Sequence, residues 1–496
     1  MRITKIQLAG AILALGGLSL AACRGSDNKD QPDASMTPID GSVTIDGMTA
    51  GGMHIQDVQN GSVKEGDAVE LHGVVIVAFD TFGAKTGDLW LEEPGGGAYS
   101  GVHVFGAPVA QTASLVVGDI VDLKGAIKTE FVLKNADGTP QDKSGRTTTE
   151  LQAPKGGTLT ITKTGHTTPP AAYVLDANAL DAMPQATRDA ELEKWEGVLI
   201  KVTDVRSRTF PIGFGAKPFP DDAYKTNITA NLVLESTQTK FVGVDGLTCY
   251  ASVTGVADYF FDWLLLPRNA DDLVPGTTCT PVTVTDSTID ALQATTPSGA
   301  IKLTDVYVTA RSNSGTSFWA STTPVAAPSQ GVYVFQSSST LALDPKIVPG
   351  AKVTVTGTVS EFNDDTMGGS LTEVAPLRLA VSADAPVALT PVTGKTVTDL
   401  TVPATGPLYE SVLVTLDNVA ITAVGSSANG FLATAKQGGV TFSIGTDIIQ
   451  LAAADLACYK TMTGLWTNLQ VTGTAPKPNA FGFIVRTLGT KDGTCN

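Results

Sequence analysis

The stretch GAKVTVTGTVSEF, Gly350–Phe362, decides the fold. Val353, Val355, Gly357 and Val359 fall on one side of an extended chain, and Lys352, Thr354, Thr356 and Thr358 on the other. Successive side chains of a strand point to opposite faces, so this alternation predicts a strand with one buried and one wet face. Gly350 stands where a turn must precede the strand, and Gly357 inside it predicts a bulge or sharp bend. The same phrase occurs earlier as GDIVDLKGAIKTEF, Gly118–Phe131, and in both copies the two glycines stand seven positions apart.

Other phrases repeat in the same order. Ile55-Gln56-Asp57-Val58-Gln59 corresponds to Ile289-Asp290-Ala291-Leu292-Gln293, VELHGVVIVA (Val69–Ala78) to IKLTDVYVTA (Ile301–Ala310), Trp90 to Trp319, and GVHVF (Gly101–Phe105) to GVYVF (Gly331–Phe335). A second series pairs WEGVLIKVTDV (Trp195–Val205) with YESVLVTLDNV (Tyr409–Val419), and VTGVADYFFDWLLLPR (Val253–Arg268) with VTGTAPKPNAFGFIVR (Val471–Arg486). The chain therefore reads as module A, module B, module A, module B. The expected boundaries are 54–155 for A1, 156–280 for B1, 281–383 for A2 and 384–496 for B2.

Length and composition agree with several β-domains. At 496 residues the chain exceeds what one core serves, and 51 Gly, 27 Pro and abundant Val and Thr favour strands and turns. Helix is expected mainly in Leu180–Glu196, which Pro184 starts, and in Asp447–Ala457. The net charge of −16 opposes binding to a polyanion, which needs clustered Lys and Arg. No such cluster is visible in the linear sequence.

The chain begins MRITKIQLAGAILALGGLSLAAC, with Arg2 and Lys5 ahead of a short apolar run. This predicts a signal peptide over 1–22, the run being short for a membrane span. Leu20-Ala21-Ala22-Cys23 resembles the bacterial lipobox, which implies lipid on Cys23. Acyl chains on that residue would anchor the protein to the cell envelope. Arg24 in place of an inner-membrane retention Asp favours the outer membrane, facing either the periplasm or the outside. Residues 23–53 are expected to be a flexible tether. Loss of residues 1–22 removes Arg2 and Lys5 and no acid, leaving 31 basic against 49 acidic groups, a net of −18.

The pattern G-x-x-V-x-V-x-G-x-V, preceded by GVxVF and GVVxxA, resembles the OB-fold modules that accompany secreted bacterial nucleases. LLLPRNADDLV, Leu264–Val274, is similar to the closing strand of such modules. The resemblance implies an all-β chain of four tandem OB-like barrels with little helix. It also implies a face, built on the second and third strands, that takes oligonucleotides or sugars. No segment resembles the nuclease catalytic domain. Immunoglobulin-like sandwiches are the competing fold, but there a Cys pair brackets a core Trp, and here each pair ends at a module boundary.

With Cys23 lipidated, Cys249, Cys279, Cys458 and Cys495 remain, at equivalent places in the two halves. They suggest Cys249–Cys279 and Cys458–Cys495 disulfides, with a metal or redox site as the alternative. No C-x-x-C occurs, and none of His54, His72, His103 and His166 stands in a metal-ligand spacing.

Catalytic motifs are missing. There is no G-x-S-x-G, and TGKT at Thr393–Thr396 has Leu389 where a P-loop needs its first Gly. Phe362–Gly369 lacks the calcium-loop spacing. His103 has Tyr333 as its counterpart, which excludes a catalytic role common to both halves. The candidate ligand-binding residues are therefore Trp90, His103 and Phe105 with their counterparts Trp319, Tyr333 and Phe335, and the pair Arg268 and Arg486. The aromatics are either stacking platforms or packing between modules, and each arginine is either a ligand contact or the partner of a nearby carboxylate. The reading is a non-enzymatic, envelope-anchored binding or scaffolding lipoprotein with no cofactor and no metal. The alternative is a nucleic-acid-binding OB protein that captures extracellular DNA or assists a nuclease.

Overall fold

Three of the four sheets in the computed structural model close on themselves along one path. The structure describes residues 52–81, 87–209, 212–213, 224–229, 232–235, 245–335, 343–363, 370–402, 404–425, 432–470, 479–492 and 495. The expected signal peptide, Cys23 and residues 24–51 of the tether lie outside them.

Barrel A1 is built from Ala68–Phe79, Leu89–Glu92, Gly101–Val104, Asp119–Phe131 and Thr148–Gln152. The first three strands run antiparallel in sequence. The third then pairs parallel with the fifth, the fifth antiparallel with the fourth, and the fourth returns to the first. Barrel A2 repeats this path with Ala300–Arg311, Phe318–Ser321, Gly331–Val334, Lys352–Asn363 and Ser370–Val381. Barrel B2 repeats it with Val412–Val424, Leu432–Gln437, Val440–Gly445, Cys458–Gln470 and Asn479–Leu488. B1 follows the same order from Leu199–Arg206 through Tyr224–Asn227, Leu232–Glu235, Asp262–Leu266 and Cys249–Phe260. There Leu199–Arg206 itself shares no ladder with the second strand among the described residues; the chain beyond it does, through Arg208 N–H donating to the Asn227 carbonyl at 2.7 Å and through Ile212–Gly213 pairing antiparallel with Tyr224–Lys225. This is the all-β, OB-like tandem.

Each first strand must bend to close its barrel, and the same device appears four times. Gly73, Asp204, Asp305 and Asn418 hold φ of 68°, 52°, 57° and 53°, each directly before a valine. This left-handed conformation is one that Gly, Asn and Asp reach at least cost. Each barrel has its own apolar core, with Val353 and Val355 fully inside A2 as their alternation requires. A short helix beside each barrel plugs its core: Ile55–Gln59, Ala177–Ala182, Ile289–Ala294 and Val397–Leu400. Ile55, Leu180, Ile289 and Leu400 are 0 to 1% exposed.

Two helical expectations need revision. Leu180–Glu196 is split into Ala177–Ala182 and Gln185–Glu193, with Pro184 as the second helix's N-cap. Asp447–Ala457 forms no α-helix and holds only one 3₁₀ turn, Ala453–Asp455. Its apolar residues serve two places at once. Ile449, Leu451 and Ala457 pack on the B2 core while Ile448 packs on the A2–B2 seam, and an extended chain reaches both.

Cys249 and Cys279 are joined, as are Cys458 and Cys495, with Cα atoms 5.9 and 5.5 Å apart. Each bond ties the start of a B barrel's fourth strand to the chain beyond its fifth.

Candidate functional site

The twice-written Gly-Val-aromatic-Val phrase lies on the third strand of each A barrel. Val102 and Val104, like Val332 and Val334, point into the core, so His103 and Tyr333 point outward. Outside that wall sits the following B barrel. Trp90 is 4% exposed and stacks on His103 with centroids 4.5 Å apart and planes 7° from parallel. It shares an apolar cluster with Val77 and Ala78 of A1 and Leu199, Val233, Val256, Leu264 and Leu266 of B1. Its Nε1–H donates to Asp258 of B1 at 2.9 Å. In the second pair Trp319 stacks on Tyr333 at 4.6 Å and packs with Ala310 against Leu413, Leu465 and Ile484. Phe105 and Phe335 sit beside these stacks and are half-buried. The face of the A barrels' second and third strands is thus filled by the neighbouring barrel, and the two tryptophans are sealed in the seams.

The glycine of the phrase is required by how closely the backbones approach. A Cβ on Gly101 would collide with the backbone of Gly197 and Val198, and one on Gly331 with that of Ser411 and Val412. Gln59 Nε2 donates to the Gly101 carbonyl at 2.7 Å, and Gln293 Nε2 does the same to Gly331 at 2.7 Å. Gly331→Ala is therefore expected to destabilise the A2–B2 seam by about 1–3 kcal/mol, the usual cost of overpacking. Thermal unfolding at fixed pH measures it, and an unchanged Tm would show that the backbones can separate freely.

The seams also bury carboxyl groups. Glu92 is 0% exposed and accepts from Leu199 N–H at 3.1 Å and the Ser100 hydroxyl at 3.3 Å. Burial pushes its carboxyl up to about 7, and does the same to Asp258. His103 lies 3.6 Å from Glu150 and 3.8 Å from Asp258, yet burial brings its pKa down to about 3. The ring is neutral, which suits its stack on Trp90.

Arg268 is held by Asp272 through Nε at 2.9 Å and Nη2 at 2.8 Å. Its counterpart Arg486 is half-buried, and no ion pair among the described residues includes it. The two arginines are therefore not equivalent in their surroundings.

A further feature escaped the sequence reading. At one end of the A1–B1 pair, Phe131 and Phe260 stack with centroids 6.4 Å apart, and Phe261 meets Phe260 edge-on at 4.9 Å. Tyr259 adjoins them under the Arg146 guanidinium, 5.9 Å from its ring centre, and Asp142 accepts from the Tyr259 hydroxyl. Phe260 is 47% exposed, and Phe261 holds φ of 61°, a left-handed turn that a bulky residue adopts only under constraint. These residues line a shallow, solvent-open groove. The signal was the run DYFFDW, Asp258–Trp263. The ladders set Val256 of B1 and Leu465 of B2 in the same place, opposite Leu199 and Leu413, so the matching end of B2's fourth strand is Thr467–Gln470 and not the PKPNAF run that sequence alignment pairs with it. Phe131 comes from a different barrel, and only the fold brings it there. Among the described residues, no group of three His, Cys, Asp or Glu side chains converges as a metal site.

No family model matches the chain, and no curated protein matches it. Among solved structures it is similar to one titled "Structure and Conformational Change of a Replication Protein A Heterotrimer Bound to ssDNA". Identity is 10%, over 64% of this chain and 94% of that one, with a TM-score of 0.20. A likeness at that score carries no argument about ligand.

Proposed function

We propose that this chain is a binding module tethered to the bacterial envelope by lipid on Cys23, and that it works by contact through the exposed aromatic tip of its first barrel pair. The tip carries this reading, because it exposes Phe260 within an aromatic cluster that has Thr467–Gln470 at the matching strand end of the second half. The A1 segment that borders the groove runs over 132–147 between the fourth and fifth strands, whereas in A2 the fourth strand ends at Asn363 and the fifth begins at Ser370. Exposed, clustered aromatics rimmed by polar groups are the usual chemistry of a contact hot spot. The A faces that an OB module would offer to a ligand are meanwhile occupied by the B barrels. The lipobox resemblance and the charged, then apolar, start of the chain support the anchor.

Two measurements test it. Palmitate labelling in a bacterial host is expected to mark the wild-type chain and not Cys23→Ala. Chain beginning at residue 24 is then immobilised and exposed to envelope proteins, glycans and single-stranded oligonucleotide. Phe260→Ala is expected to lower retention of the bound partner about tenfold or more, the scale of an aromatic hot spot. Equal retention by wild type and variant rejects the tip as the contact surface. Salt-sensitive retention of oligonucleotide alone replaces this reading with nucleic-acid capture, which the net charge of −18 without Arg2 and Lys5 opposes.

A further inference from the structure

Glu196 and Glu410 occupy equivalent places, each one residue before the close backbone crossing of its seam. Glu196 is 1% exposed, and its Oε1 accepts from Thr149 N–H across the seam at 2.8 Å. Its Oε2 is buried with no hydrogen-bond partner. Glu410 is 4% exposed, and its Oε1 accepts from Thr372 N–H across the second seam at 2.7 Å.

The surroundings of both groups are acidic. Glu196 faces Asp258 of B1's fourth strand, Glu193 of the preceding helix, Glu130 of A1's fourth strand and the Thr149 amide. The cations beyond are engaged: Lys128 with Glu130 at 3.0 Å and the Val58 carbonyl at 2.7 Å, and Arg146 with Asp189. His103, near Asp258, is neutral and supplies no compensating charge. Glu410 faces the Thr372 amide and hydroxyl, Gln293 from the plug helix, and Glu361, itself a carboxylate. Glu373 is next to Glu361 as well. An ionised carboxylate in either place would be unsolvated and among like charges, whereas a neutral acid keeps its amide bond at little cost.

From this juxtaposition we propose that each barrel pair is a pH-released clasp, closed while Glu196 or Glu410 holds its proton and loosened when the proton leaves. Opening would uncover the Trp90–His103 and Trp319–Tyr333 faces that the B barrels otherwise cover.

The sign follows from linkage. Burial raises Glu196 well above 4.5 and Glu410 to about 7 in the closed seam, while the open state returns them toward 4.5. The closed form therefore binds more protons between those limits. Closure is strongest below about pH 4.5 and weakens as pH rises, and at the Glu410 seam it levels off above about 7. One such group raises the opening constant by up to about tenfold per pH unit inside that window, and with the Glu410 limits by roughly fortyfold from pH 5 to 7.

Hydrogen exchange on the full chain, corrected for intrinsic amide rates, tests this at the seam amides of Thr149 and Thr372. Both are expected to exchange faster at pH 7 than at pH 5, Thr372 by roughly fortyfold and Thr149 in the same direction. Glu410→Gln is neutral at every pH and can accept the same bond, so the slope at Thr372 is expected to fall by about one proton while that at Thr149 stays. Glu196→Gln is expected to do the converse. Equal corrected rates at the two pH values, or an unchanged slope in the Gln variants, overturn the clasp. If one variant does not fold, the other and the wild-type profile each decide the matter.

Discussion

Trp319→Ala is expected to destabilise the second barrel pair by about 3–5 kcal/mol, the range for removing a large buried aromatic. The side chain is 2% exposed and belongs to the cluster that joins A2 to B2. Its loss leaves Tyr333 without its stacking partner and opens a void beside Leu413, Leu465 and Ile484. A region of about 200 residues loses roughly 2–4 °C of Tm per kcal/mol, so calorimetry should show a fall of about 10 °C confined to the second pair. A shift under about 2 °C would mean that the seam contributes little and that the barrels are held by their linkers alone.

The double substitution Cys249→Ser with Cys279→Ser is expected to cost about 3–4 kcal/mol, from the chain entropy restored over a 30-residue loop. B1 should feel this more than B2 feels loss of Cys458–Cys495. In B1 the second strand pairs only with the two-residue continuation Ile212–Gly213 among the described residues and not with Leu199–Arg206 itself, whereas in B2 the unbroken first strand pairs with the second and closes the barrel. Denaturant melts of the two double variants compare the barrels directly. A larger loss in B2 would contradict the view that the staple substitutes for closure.

Much of the fold was legible because strand physics is local. Alternation at Val353, Val355 and Val359 named a face, Gly350 named a turn, and the second copy of each phrase named the duplication. Trp90 and Trp319 were not decidable from their own letters, since a stacking platform and a seam anchor need the same large aromatic ring. What separates them is the barrel on the other side, and the Gly101–Gly197 approach that puts it there arises from residues some hundred positions apart. Asp447–Ala457 misled because its apolar content resembles a helix, while its side chains serve two different cores. The Phe131–Phe260 stack joins two barrels and had no local trace beyond one aromatic run. The Arg268–Asp272 pair, four residues apart, was within reach of sequence reading. The different surroundings of Arg486 were not.

The left-handed residue in every first strand reaches beyond barrel closure. Gly73, Asp204, Asp305 and Asn418 mark one shared origin point from which A and B can be superposed, although their sequences align only within each kind. Seen this way the chain is a single barrel written four times, and what makes an A differ from a B is the side each turns toward its neighbour. Grafting Trp, Gly and the outward aromatic from an A wall onto a B wall should then let that B barrel seat a further neighbour.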